Sequence, residues 1–215
     1  MREVGLTADD TLVDIGCGDG TLLLLAKKLG VSNATGLHAT EEEASIVRNL
    51  GLEAQQGLID SLPLPDESAS VVVCNNVLLV VPREKIPASL REIYRVAKPE
   101  VRILIGEIHF EPGPPPEPEF ATTRETLGYL YNQYGLRTAL GMLRRMVFGR
   151  LRGQPFTIRS GSQVSFYSQP EEVIALAREA GLEYVRHWRH EDPNNRYNYL
   201  FRKAKARSIA NPRRG

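Results

Sequence analysis

Apolar and polar residues follow two rhythms along this chain. Short apolar runs fall at 11–16, 34–38, 52–57, 70–74 (with Val71, Val72 and Val73 at its centre) and 101–108. Runs of that length, bounded by turn residues, read as strands buried on both faces of a sheet. Between them, apolar residues recur at three- and four-residue spacing and predict helices at 20–30, 41–50 and 83–97. Leu90, Ile93, Tyr94 and Ala97 share one face of the last of these. Thr40, with Glu43 three residues on, has the capping-box pattern of a helix start. Strands alternating with helices predict βαβ units and a doubly wound, parallel α/β sheet.

The rhythm breaks after 108. Pro112, Pro114, Pro115, Pro116 and Pro118 exclude a helix or a central strand from 111–119. Two helical patterns follow at 119–134 and 136–150, then an extended stretch at 163–168. A helix at 170–180 opens on Pro170, a residue suited to a first helical turn. Strands at 182–190 and 196–203, separated by Asp192-Pro193-Asn194-Asn195, predict a closing β-hairpin. This gives one domain over 1–203, an insertion at 110–165 that reads as a helical cap, and a loose basic tail at 204–215.

The chemistry gathers at the end of the first strand. Asp14-Ile15-Gly16-Cys17-Gly18-Asp19-Gly20 runs directly into a helix. Glycines there let the backbone turn sharply and approach a ligand with no Cβ between them. The helix start leaves N–H groups free to meet that ligand. In doubly wound sheets, ligands sit beyond the carboxyl ends of the strands. The third glycine comes one residue earlier than in the dinucleotide fingerprint G-x-G-x-x-G, which disfavours a nicotinamide-dependent oxidoreductase.

With Asp14 two residues before the glycines, this segment resembles motif I of the class I S-adenosylmethionine-dependent methyltransferases. Asp60-Ser61-Leu62-Pro63-Leu64-Pro65-Asp66 resembles the family's approach to its fourth strand. Arg91-Glu92-Ile93-Tyr94-Arg95-Val96-Ala97-Lys98-Pro99 resembles its approach to the fifth. Phe166-Tyr167-Ser168, Glu171-Glu172-Val173 and Ala180-Gly181-Leu182 resemble the approach to the sixth. The resemblance covers about 11–108 and 167–203. It implies a Rossmann-like, seven-stranded methyltransferase fold, with S-adenosylmethionine as cofactor and methyl transfer to a small molecule as activity. It also implies a binding set: the turn of Gly16, Cys17, Gly18 and Gly20 for the amino-acid portion, Asp14 for its ammonium, Ile59 and Asp60 beside the adenine, His38 at the ribose, and Asn75 near cofactor or substrate.

The chain departs from the family at several of these positions. His38 stands where many relatives place an acid that binds both ribose hydroxyls. A histidine can hydrogen-bond a hydroxyl but is no bidentate acceptor, and Glu41 or Glu42 could substitute from the next turn. Leu58 replaces an acid near the adenine, Ala69-Ser70 replaces a Phe-Asp pair, and Glu100-Val101 replaces a glycine pair. About ten residues precede the first strand, where many relatives carry a helical cover. The cover is expected from the 110–165 insertion or from a partner, unless the fold is a shortened one. These departures also support an alternative: a non-catalytic methyltransferase-fold protein acting as a binding or partner subunit.

His109 and Glu107, just past the fifth strand, are the candidate general bases, since an oxygen or carbon acceptor must lose a proton. Histidine suits that task at neutral pH. Asn75 and Asn76 are followed by Val77-Leu78, unlike the Asn-Pro-Pro-Tyr of nucleic-acid amino methyltransferases. His187 and His190 alternate with charged residues and read as surface positions.

Charge adds one distinction. Residues 1–125 carry 20 acids against 11 Lys/Arg, and residues 126–215 carry 6 against 16. Leu136, Leu140, Leu143, Val147 and Leu151 recur at helical spacing among Arg137, Arg144, Arg145, Arg150 and Arg152. That pattern suits packing on the core, an anionic or lipid-like substrate, or peripheral contact with an anionic membrane. It lacks the interleaved aromatics of a nucleic-acid surface. A protein partner or homo-oligomer is also compatible with it. No apolar run reaches the length of a membrane span. Two isolated cysteines and four scattered histidines exclude a recognisable metal motif and suit a reducing cytoplasm.

Overall fold

The structure is a computed structural model that describes residues 2–109, 168–189 and 196–203, with isolated helical positions between Arg124 and Arg144. In chain order the elements are β1 (Thr11–Ile15), α1 (Thr21–Lys28), β2 (Asn33–His38), α2 (Glu41–Arg48), β3 (Glu53–Gln56), β4 (Ala69–Asn75), α3 (Ile86–Val96), β5 (Ala97–His109), α4 (Pro170–Glu179), β6 (Leu182–Arg189) and β7 (Arg196–Lys203). They form one seven-stranded sheet in the order β3-β2-β1-β4-β5-β7-β6. β3, β2, β1, β4 and β5 run parallel, while β7 is antiparallel to both β5 and β6. The doubly wound fold and its closing hairpin are thus present. The strand order reverses between β1 and β4, which puts the switch-point crevice at their carboxyl ends.

The local chemistry explains the boundaries. Thr40 Oγ1 accepts from Glu43 N at 3.3 Å, so α2 begins where the capping-box pattern places it. α3 starts at Ile86 rather than 83, because 83–85 forms a tighter 3-10 turn and Pro87 suits the first helical turn. It stops at Val96, and β5 begins at Ala97 rather than 101. Pro99 biases Lys98 away from helical geometry, and Ala97 already pairs with Ala69.

One core lies between α3, α4 and the sheet, where Leu90, Ile93, Ile103, Ile105, Tyr199 and Phe201 are essentially inaccessible. The other, under α1 and α2, gathers Leu12, Leu23, Ala44, Val47, Val71 and Val73. Between β1 and β4, Ser70 Oγ accepts from Thr11 N at 2.9 Å and donates to Asp10 at 2.7 Å. At this departure from the family pattern the side chain therefore ties the two strands together. Residues 115–163 form a second compact unit. The described positions of the predicted 119–134 and 136–150 helices, among them Arg124, Tyr131, Leu136, Leu140 and Arg144, are helical. The expected 163–168 extension (Ser168 apart), the 192–195 turn and the 204–215 tail lie outside the described residues.

Candidate cofactor site

The glycine turn hangs from the end of β2. Gly16 N and Cys17 N both donate to Leu37 O, at 2.9 and 3.1 Å. Gly16, Gly18 and Gly20 have φ of 72°, 54° and 76°, a region that favours glycine. A Cβ on Gly16 would lie 2.3 Å from Val77 Cγ2, whereas one on Gly18 would meet nothing within 4 Å. The turn is therefore packed on one side and open on the other. Asp19 Oδ1 accepts from Thr21 N at 3.1 Å, just past the turn. Cys17 points inward, and burial, reinforced by Asp14, pushes its thiol up to about 12. It is a packing residue whose contribution to the turn is its backbone.

Asp14 lies in β1 immediately before the turn and is only 4% exposed. Its carboxylate makes no hydrogen bond or ion pair among the described residues. Burial alone pushes its carboxyl up to about 7. A buried carboxylate without a partner is costly, and a ligand ammonium delivered there would remove that cost through a charge-assisted hydrogen bond. An open glycine cradle beside an uncompensated carboxylate fits the amino-acid portion of S-adenosylmethionine.

The other expected positions are occupied differently. His38 ends β2, but both its ring nitrogens are engaged: Nε2 lies 2.8 Å from Gly18 O and Nδ1 3.3 Å from Glu43 Oε2. As placed, it is a link between the turn and α2 rather than a free ribose ligand. Glu41 is paired with Arg48. Asp60 pairs with Lys85 at 2.9 Å, and that hydrogen bond holds its carboxyl below the usual range. Ile59 is buried in the core, while Leu58 is exposed. Asn75 ends β4 and lies over Gly106, where an added Cβ would sit 1.9 Å from Asn75 Oδ1.

Of the two candidate bases, Glu107 gives its carboxylate to Arg196 at 2.5 Å, while its backbone N donates to Asn198 Oδ1 at 3.1 Å. His109 is the last residue of β5, opposite Arg196 in the strand register. His187 is half-buried rather than on the surface. It lies 2.9 Å from Tyr184 OH and packs its ring among Tyr184, Tyr197 and Tyr199. His190 lies outside the described residues. Among the described residues, no three His, Cys, Asp or Glu side chains gather as a metal site.

Sequence reading missed Glu43, Arg196, Asn198 and Gly106. For Gly106 there was a signal, since a glycine within a strand marks a close approach of another group. Glu43 was visible only as half of a capping box.

A family model described as a methyltransferase domain matches residues 13–105, the segment that carries the turn and the switch point. An uncharacterized methyltransferase of Schizosaccharomyces pombe is 25% identical over 195 residues, covering 86% of this chain. The chain spans 64% of that relative's length. A solved S-adenosylmethionine-dependent methyltransferase of Methanosarcina mazei superposes with a TM-score of 0.61 at 19% identity, covering 95% of this chain and 97% of that one. A candidate methyltransferase of Haloferax volcanii, solved in complex with the Trm112 methyltransferase activator, superposes at 0.63 with 15% identity, covering 95% and 87%. Residues 13–105 thus match a methyltransferase-domain model, and the fold is shared with solved S-adenosylmethionine-dependent methyltransferases.

Proposed function

We propose that the chain binds S-adenosylmethionine at the 16–20 turn and transfers its methyl group to a small acceptor, acidic or lipid-like in character. The observation that carries this reading is Asp14, a buried carboxylate with no partner among the described residues, set behind an open glycine turn. The cofactor supplies an activated methyl on a sulfonium. This chain's residues would bind, align and exclude water. Asp14 takes the ammonium and the backbone of Gly16, Cys17 and Gly18 takes the amino-acid portion. Ile59, mainly through its backbone, and Asp60 would lie beside the adenine, and Asn75 would face the cofactor or acceptor. For an acceptor that must lose a proton, His109 is the base, because Glu107 already serves Arg196. We assign 110–165 as the substrate-selecting insertion of a 1–203 domain. Its arginines and leucine stripe fit an anionic or lipid-like acceptor, with peripheral contact to an anionic membrane as the related reading. No helix among the described residues is long and apolar enough to cross a membrane. Cys17 and Cys74 are free thiols, in keeping with the cytoplasm.

A second reading rests on His38 and Asp60. Both are satisfied internally, as expected of a non-catalytic member that serves a protein partner. Calorimetric titration with S-adenosylmethionine and S-adenosylhomocysteine separates the two. Micromolar binding, followed by label transfer from methyl-labelled cofactor to acidic or lipid-like acceptors, is expected. No binding at millimolar ligand would discard the enzyme reading in favour of the partner-subunit one.

A further inference from the structure

The departure at His38 moves a carboxylate rather than removing one. A carbonyl oxygen only accepts, so the 2.8 Å contact with Gly18 O requires His38 Nε2 to donate. The other nitrogen faces Glu43 Oε2 at 3.3 Å. Thr40 Oγ1 donates to the same oxygen at 2.9 Å, and Glu43 N donates back to Thr40 Oγ1. Thr40, joined by His38 Nδ1 when the ring carries both protons, thus aims the Glu43 carboxylate at the end of β2, one imidazole ring away from the cofactor turn. Its second oxygen, Oε1, makes no hydrogen bond among the described residues, and the side chain is 40% exposed. A vicinal diol is a pair of donors that a carboxylate meets with charge-assisted bonds. The other acids at this end of α2 differ: Glu41 is held by Arg48, and among the described residues nothing fixes the exposed Glu42 toward the turn.

We propose that Glu43 accepts from the ribose hydroxyls of the cofactor, and that His38 is the positioning residue that clamps Gly18 and aims Glu43. This rests on the cofactor reading above. It replaces the expected ribose contact of His38 with a two-residue device, and it favours Glu43 over the Arg48-paired Glu41 as the substitute.

The test is calorimetric titration of the full chain with S-adenosylhomocysteine and with its 2′-deoxy and 3′-deoxy forms. Thermal melts of each unliganded variant serve as a folding control. Wild type is expected to lose roughly tenfold in affinity when a hydroxyl is removed. Glu43→Gln should bind S-adenosylhomocysteine roughly tenfold more weakly and then lose nothing further with the deoxy forms. His38→Gln keeps one donor for Gly18 O but cannot also reach Glu43, so it should retain the turn while losing the same discrimination. A Glu43→Gln chain that discriminates against the deoxy ligands as strongly as wild type overturns the proposal and leaves the cofactor reading standing. A wild-type chain that binds none of the three ligands overturns both.

Discussion

Asp10 and Asp14 sit four residues apart at the two ends of one short strand, and both are nearly inaccessible, at 5% and 4%. Their surroundings are opposite. Burial raises the Asp10 carboxyl, but hydrogen bonds from Ser70, Thr7 N, Arg102 and Thr7 Oγ1 outweigh it and hold the group at about 2. Asp14 has burial alone and is pushed up to about 7. The same contrast runs through the two edges of the sheet. At the amino edge, Lys203 donates to Glu67 and Ala97 O at 2.9 Å each, and Arg95 is spread over Glu92, Asp66, Leu62 O and Leu64 O. At the carboxyl edge Asp14 has no partner among the described residues and lies beside the open side of the glycine turn. That one buried carboxylate is satisfied and the other has no partner among the described residues is what supports the ligand reading proposed for the second end.

The strongest way to break this contrast is Asp14→Asn. Between pH 4 and pH 7 the folded Asp14 keeps a proton that the unfolded chain has released. Ligand-free stability therefore falls as pH rises through that window, by up to about 4 kcal/mol. Asp14→Asn should flatten that slope in urea unfolding at pH 5 and pH 8, and stabilise the chain at pH 8. The same change should weaken S-adenosylhomocysteine binding about a hundredfold. A variant less stable at pH 8 would show that Asp14 has a structural partner.

Asp10→Asn should do the reverse. It leaves Arg102 without its carboxylate and is expected to cost about 3 kcal/mol of folding stability. Cofactor affinity should stay within about twofold. The wild-type contribution of Asp10 is present above about pH 4 and is lost as pH falls toward 2, which acid unfolding of the two chains would reveal.

The turn offers a finer division between packed and open positions. Gly16→Ala forces a Cβ against Val77 and should cost about 2 kcal/mol in thermal denaturation, part of it recovered by Val77→Ala. Gly18→Ala carries only the backbone cost of about 1 kcal/mol and should show mainly as weaker ligand binding. Smallest is Lys203→Met at the amino edge, expected to cost about 1 kcal/mol with no change in affinity, since it removes hydrogen bonds far along the sheet from the turn.

The architecture was legible because it rests on local patterns. The short β-branched run at 71–73 reads as a doubly covered strand, Thr40 and Glu43 have the spacing of a capping box, and the Asp14-to-Gly20 motif marks the strand that leads into the turn. Boundaries moved where two local rules competed, as at Ala97, where helical periodicity continues but Pro99 turns the chain into β5. The site was less legible because its partnerships join distant segments. Nothing near Asp60 announces Lys85, nothing near Glu107 announces Arg196, and the role of Glu43 appears only when β2 and α2 bring His38 against it. Asp14 stood out in the motif, but its lack of a partner among the described residues is a property of the packed core.

The suspension of the turn from Leu37 O bears on how the molecule opens and closes. Two amides of the cradle are protected only while β2 is zipped to β1, and His38 O in turn holds Gly57 N at 2.7 Å just after the outermost strand, β3. Fraying that starts at the β3 edge would release the cradle before it reached the central strands. In hydrogen exchange, the Gly16 and Cys17 amides should report on that edge opening rather than on global unfolding. A bound ligand should slow their exchange together with that of β2 and β3.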